Sequence, residues 1–254
     1  MCMSTTVSPD VLRRLPPCIV TGATSGIGLA TTRRLLDAGV PVTAIGRNQA
    51  ALTTLVSAFP HLRVITADLS GSAALPALAA AIVAGQPDAG VIFNVAAVQD
   101  DVRMMSSGYT PQQIADEIAV NLTAPIVLTH ALLPHLSRQP EAYVVNVTSG
   151  LAFVPKRTAA VYSATKAGLH LFTDALRVQM AGSSLHVIEA VMPLVDTPMT
   201  AGRGRGKISA DDAAAQLLDG VSRGTPRILV GKARLVPVLQ RWMPGVLARV
   251  MQSS

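Results

Sequence analysis

Aromatic side chains are scarce, one Trp, three Tyr and four Phe making 3% of 254 residues. Packing therefore falls to Ala, Val, Leu and Ile, which fill parallel strands covered by helices on both faces. Cysteine is nearly absent: Cys2 stands near the start, Cys18 opens an apolar run, and no Cys/His cluster has zinc spacing. A disulfide framework and a structural metal site are thereby excluded. No basic segment leads into an apolar one at the start, and no uninterrupted apolar run reaches the ~18 residues that span a bilayer. A cytoplasmic protein is the expectation.

Charge is also sparse, 14% of residues, and its excess of +6 is spread from Arg13 to Arg249 without a basic run interleaved with aromatics. That pattern describes a cationic surface rather than a nucleic-acid stripe, so no nucleic-acid partner is expected. A positive surface does favour the approach of an anionic ligand. Hydrophobic residues are half of the chain, enough for a large core.

Beyond an N-terminal arm (1–16), apolar runs and helical patterns alternate. Strands are expected at Pro17–Val20, Val40–Ile45, Arg63–Ala67, Val91–Val95, Tyr143–Thr148, Leu185–Val191 and Arg227–Val230. Between them lie helices ending at Ala38 with Gly39 as cap, then Gln49–Phe59, Leu75–Ala84, one long helix Pro111–Leu136, Ala159–Met180, and a helix capped by Ser209 that ends near Gly220. Such alternation means one α/β domain over 1–254, a doubly wound parallel sheet of about seven strands with helices on both faces. Ligands of such sheets sit at the carboxyl ends of the strands, so the Gly/Pro/Thr-rich stretch 193–208 reads as a substrate lid. The apolar, arginine-dotted run Leu235–Met251 reads as a pocket cover or a subunit contact in preference to an interfacial membrane helix.

The turn Thr21-Gly22-Ala23-Thr24-Ser25-Gly26-Ile27-Gly28 joins the first strand to the first helix. Glycines there let the backbone turn, admit a pyrophosphate and pack helix on strand, and phosphate then meets a helix N-terminus. The second strand ends in Ile45-Gly46-Arg47-Asn48, with Arg47 where NAD-binding sheets carry an acid for the ribose 2′-hydroxyl. A guanidinium suits the 2′-phosphate of NADP, so NADP(H) is favoured over NAD(H). Asp68, followed by Leu69, stands at the end of the third strand, where it either bonds an adenine edge or caps the next turn; both readings stay open.

Tyr162 and Lys166, at i and i+4, share one helical face. An ammonium beside a phenol favours phenolate and so draws the Tyr toward a working acid–base range. Ser149, at the carboxyl end of an earlier buried strand, can donate to the same substrate oxygen.

With Asn94-Val95-Ala96-Ala97, Asn121 and Thr197, these motifs stand in the order found in the short-chain dehydrogenases/reductases, and nearly the whole chain resembles that family. The resemblance implies a single-domain Rossmann fold and an oxidoreductase acting on a carbonyl or secondary alcohol. It implies Tyr162 as general acid/base, Lys166 lowering its pKa and holding the nicotinamide ribose, Ser149 orienting the carbonyl, and Asn121 anchoring a relay water. Asn94 and Thr197 would contact the cofactor, and the long helices would form a homodimer or homotetramer interface. Val95, Ala97 and Met192-Pro193 depart from the family's Asn-Asn-Ala-Gly and Pro-Gly, which bears on ring placement and leaves a non-catalytic dinucleotide sensor as the alternative. Leu151, Ala152, Phe153 and Met199 point to an apolar substrate, and Lys156 and Arg157 are either contacts for an acidic one or loop charges.

Overall fold

Apolar runs become buried parallel strands. The computed structural model describes residues 7–243 and Gly245; Cys2 and the end of the C-terminal run lie outside the described residues. Strands β1 (Cys18–Thr21), β2 (Val42–Gly46), β3 (Arg63–Thr66), β4 (Val91–Asn94), β5 (Ala142–Ser149), β6 (Leu185–Met192) and β9 (Arg227–Leu229) form one all-parallel sheet in the order β3-β2-β1-β4-β5-β6-β9. The chain first winds outward from β1 and then returns to start β4 on its other side. Between those two strands lies the switch point where doubly wound sheets hold ligands.

Successive residues of β1 serve opposite layers. Cys18 and Val20 pack with Leu35 of α2 (Gly26–Asp37), Leu52 of α3 (Gln49–Ala58) and Leu217 of α8 (Ala210–Ser222). Ile19 packs with Leu78 and Ile82 of α4 (Leu75–Gly85) and with Leu128 and Leu132 downstream. Each such Leu or Ile, fully buried, contributes about 2 kcal/mol. Gly39, at φ +79, ends α2: its amide donates to Leu36 and the Val40 amide to Leu35.

The helix expected over Pro111–Leu136 is not uniform. It runs as α5 (Pro111–Ile118), a π-helical turn Ala119–Thr123, and α6 (Ala124–Leu136). Pro125 has no amide to give the Asn121 carbonyl, and the ladder widens where that bond is missing. The whole run is long and apolar enough to cross a bilayer, yet Leu128, Leu132 and Leu136 are spent on the sheet. Two further corrections concern short elements: the arm contains α1 (Pro9–Leu12), and the stretch 193–208, expected to be a lid, carries a small ladder, β7 (Val195–Asp196) with β8 (Ile208–Ser209). The chain closes with α9 (Val236–Trp242).

Helix α7 (Ala160–Gln179) is fastened to the edge of the sheet by charge. Glu189 of β6 is fully buried; it accepts from Thr148 (2.7 Å) and Arg227 (2.7 Å), and the His170 ring sits 2.9 Å away. Arg227 also binds both oxygens of Asp174 at 2.7 Å. Burial alone would push the Glu189 carboxyl up, but the bonds from His170, Thr148 and Arg227 and the charge of His170 outweigh it and hold it below its usual value of 4.5. The stability this carboxylate adds is therefore present above that value and lost as pH falls through the lowered one. Glu189→Ala strands the partners and is expected to cost about 3 kcal/mol at neutral pH, read by urea unfolding; an unchanged midpoint would refute the fastening role.

Candidate active site

At the carboxyl ends of β1, β2, β4, β5 and β6 opens a cavity of about 900 Å³. Its floor begins at the glycine turn. Gly22 (φ +69) is seated so close to Ala96 that a Cβ would lie 2.8 Å from the Ala96 Cα, and a Cβ on Gly28 would lie 2.2 Å from the Gly22 carbonyl oxygen. Only glycine allows this turn to fold under the first turn of α2. The Thr21 hydroxyl, overlooked in the sequence, braces it: it accepts from the Val95 (3.0 Å) and Ala96 (3.2 Å) amides and donates to the Phe93 carbonyl (3.2 Å).

Of the residues singled out in the sequence, Gly22, Thr24, Ser25, Gly26, Ile27, Gly28, Arg47, Leu69, Ser149, Tyr162, Lys166 and Thr197 line this one cavity. Thr197 reaches the glycine turn, its methyl lying 2.9 Å from where a Gly26 Cβ would stand. Asp68, Asn94 and Asn121 do not line it. Asp68 caps its own turn, one oxygen accepting from the Ser70 amide and hydroxyl, each at 3.0 Å. The Ser70 amide bond, above all, with the Ser70 hydroxyl and the charge of Arg47, keeps that carboxyl below the ordinary range despite some burial. Asn94 donates sideways along the sheet to Asn146 (2.8 Å). Asn121 grips the cavity wall from behind: it accepts from the Val98 amide (2.9 Å), donates to the Val98 carbonyl (2.8 Å), and approaches Thr165 of α7 at 3.4 Å. Its side-chain bonds thus position Val98.

Ser149, Tyr162 and Lys166 meet at the far side. Ser149 accepts from the Leu151 amide (3.1 Å), and its hydroxyl faces the Tyr162 phenol. Lys166 is buried, donates to the Val147 carbonyl (2.9 Å), and lies 5.6 Å from the centre of the Tyr162 ring. Burial, reinforced by the charge of Glu117 and opposed by Ser149 and the charge of Arg203, pushes Tyr162 up to about 12, while burial pushes Lys166 down to about 8. Helical spacing put the two on one face, but it could not report how completely both leave water.

Leu151 and Met199 line the cavity as expected, joined by Met192, Leu194 and, from the C-terminal run, Leu235, Val236 and Leu239. The described part of that run thus borders the cavity. Phe153 does not line it and packs against His170 instead, ring centres 4.7 Å apart and planes tilted by 58°. Lys156 lines the cavity with its charge already met by Asp101 (2.9 Å), and lid residue Arg203 joins the same carboxylate at 3.3 Å. Burial would raise Asp101, but bonds from Thr158, Lys156 and Arg203 hold it below its usual value. Arg157 does not line the cavity.

The sequence model of the short chain dehydrogenase family matches residues 17–207, and the chain belongs to that family of oxidoreductases. It is 35% identical over 217 residues to the uncharacterized oxidoreductase DltE of Bacillus subtilis (strain 168), covering 83% of this chain and 86% of that protein. In fold it is similar to a short chain dehydrogenase from Burkholderia cenocepacia solved in complex with NADP, with a TM-score of 0.82, 22% identity, and 93% and 97% of the two chains covered. It is also similar to a short chain dehydrogenase/reductase from Burkholderia phymatum in complex with NAD, with a TM-score of 0.79, 21% identity, and 91% and 94% covered.

Proposed function

We propose that this oxidoreductase uses NADP(H) to interconvert an apolar ketone or aldehyde with its alcohol. The observation that carries the reading is the meeting, in one cavity, of a glycine turn at a helix N-terminus, Arg47 at the tip of β2, and Ser149, Tyr162 and Lys166 opposite them. The turn fits a pyrophosphate because its glycines let the backbone fold tightly at the N-terminus of α2, where a Cβ at Gly22 or Gly28 would collide with Ala96 or with the Gly22 carbonyl. Arg47 follows β2 with no acid at the strand's end to compete for a ribose hydroxyl, which fits a 2′-phosphate. When bound, the dinucleotide supplies the hydride for the carbonyl carbon.

The chain's own groups handle the oxygen. Tyr162, held as a phenol at neutral pH, gives its proton to the carbonyl oxygen, and Ser149 donates a hydrogen bond to that oxygen and steadies its growing charge. Lys166, drawn toward neutrality by burial, is favoured as ammonium by any anion entering the cavity, and then offsets the charge left on Tyr162. Thr197 and Met199 bring the lid over the glycine turn and the apolar wall, excluding water. Self-association belongs to the same proposal, through α7, whose Leu171 and Val178 are exposed.

The test is a panel of apolar and acidic carbonyl compounds assayed with NADPH and, in parallel, NADH. Turnover of apolar ketones with NADPH preferred is the expected result. Equal or faster use of NADH would remove the 2′-phosphate reading, and turnover of acidic substrates alone would remove the apolar one.

A further inference from the structure

The last acid of the chain is Asp219; beyond it stand Arg223, Arg227, Lys232, Arg234, Arg241 and Arg249, as many cations as the +6 excess of the whole chain. Apolar residues are interleaved with them, and the fold turns part of these to water. Val236 of α9 is buried and Leu239 borders the cavity, whereas Leu235, Val238 and Trp242, at i, i+3 and i+7, share the other face and are 56%, 57% and 74% exposed. Arg241 lies 5.7 Å from the centre of the Trp242 ring, and Met243 beside it is half exposed. The same face carries one opening of the cavity: Leu194, Arg205, Lys232 and Leu235 both line the cavity and face water. The Lys232 ammonium stands 2.8 Å from where a Gly206 Cβ would lie, which brings it to the segment that bears Arg205. Arg205 and Lys232 meet no carboxylate among the described residues, and no Asp or Glu is among those that line the cavity.

We propose that this face docks the protein on an anionic lipid surface, with the cavity opening toward the bilayer. Val238 and Trp242 enter the headgroup boundary, where an apolar ring beside a guanidinium is at home, and Arg205, Lys232 and Arg241 meet lipid phosphates. An exposed apolar patch ringed by cations and free of acids is complementary to such a surface. A second copy of the chain would instead bring like charges together across the patch. In sequence the apolar positions keep the same three- and four-residue spacing through Val246, Leu247, Val250 and Met251. Docking stands on exposure and charge alone. Its use, the supply of apolar carbonyl compounds from lipid to the cavity, rests on the oxidoreductase reading proposed above.

Trp242 is the only tryptophan of the chain, so its fluorescence reports on this patch. Titrating the intact protein with phosphatidylcholine vesicles that contain phosphatidylglycerol is expected to shift its emission to the blue and to carry the protein into the vesicle pellet. Vesicles of phosphatidylcholine alone should bind it about tenfold less, and added salt should release it. Val238→Glu combined with Arg241→Glu changes two exposed residues that do not line the cavity. It should lower partition into the anionic vesicles at least about tenfold and leave turnover of a water-soluble ketone unchanged. Unshifted emission with anionic vesicles, equal binding to both vesicle types, or undiminished binding by the double variant would overturn the proposal. So would a blue shift that grows with protein concentration in the absence of vesicles, which marks a second copy in the patch. Vesicle binding by a protein that reduces no carbonyl would support the docking and sink the oxidoreductase reading, whereas turnover without vesicle binding would sink the docking alone.

Discussion

Tyr162→Phe is expected to lower kcat/KM for carbonyl reduction by about a thousandfold, within the range that a positioned general acid contributes. The substitution removes one oxygen. Tyr162 is buried among groups that touch its ring, and phenylalanine keeps that ring, so the fold and the glycine turn on the other side of the cavity should be untouched. NADPH binding, measured by fluorescence of the reduced ring, should stay within a factor of two or three. A loss of less than tenfold would show that another group delivers the proton, whereas tight NADPH binding without turnover in the unaltered protein would favour a non-catalytic dinucleotide sensor.

Arg47→Ala is expected to raise the KM for NADPH about a hundredfold and leave that for NADH nearly unchanged. The two cofactors differ by one phosphate. A charge-assisted bond to it contributes about 1.5–3 kcal/mol, and each 1.4 kcal/mol is a factor of ten in affinity. Arg47 lines the cavity beside Gly46 and Asn48, and Asp68, whose carboxyl feels its charge, is bonded to Ser70. Among the described residues no carboxylate pairs with this guanidinium, which suits it to meet a phosphate. Equal losses with both cofactors would assign Arg47 to the shared part of the dinucleotide and would leave the preference unexplained.

The sequence made the sheet legible because buried parallel strands announce themselves as unbroken apolar runs; all seven expected strands form, with ends shifted by a residue or two. Gly39 and Ser209 were readable as caps because capping is local chemistry, and the Ser209 hydroxyl does accept from the Asp212 amide. What escaped depends on partners distant in sequence. The ladder of β7 and β8 is two residues deep on each side, too short for any period. Lys156 read as a loop charge or a substrate contact until the fold brought Asp101 and Arg203 to it. Asn121 was legible only as a position in the family's motif order, and its grip on Val98 was not. The raised Tyr162 follows from burial that a helical spacing cannot express.

The central claim is that hydride reaches a carbonyl carbon held beside Tyr162. It is tested most directly with NADPH deuterated at the transferring position of the nicotinamide and an apolar ketone from the panel. The account predicts product alcohol bearing one deuterium on the carbinol carbon, formed in step with NADPH loss and absent from Tyr162→Phe. NADPH loss without deuterium in the alcohol, or labelled alcohol formed equally well by Tyr162→Phe, would contradict it.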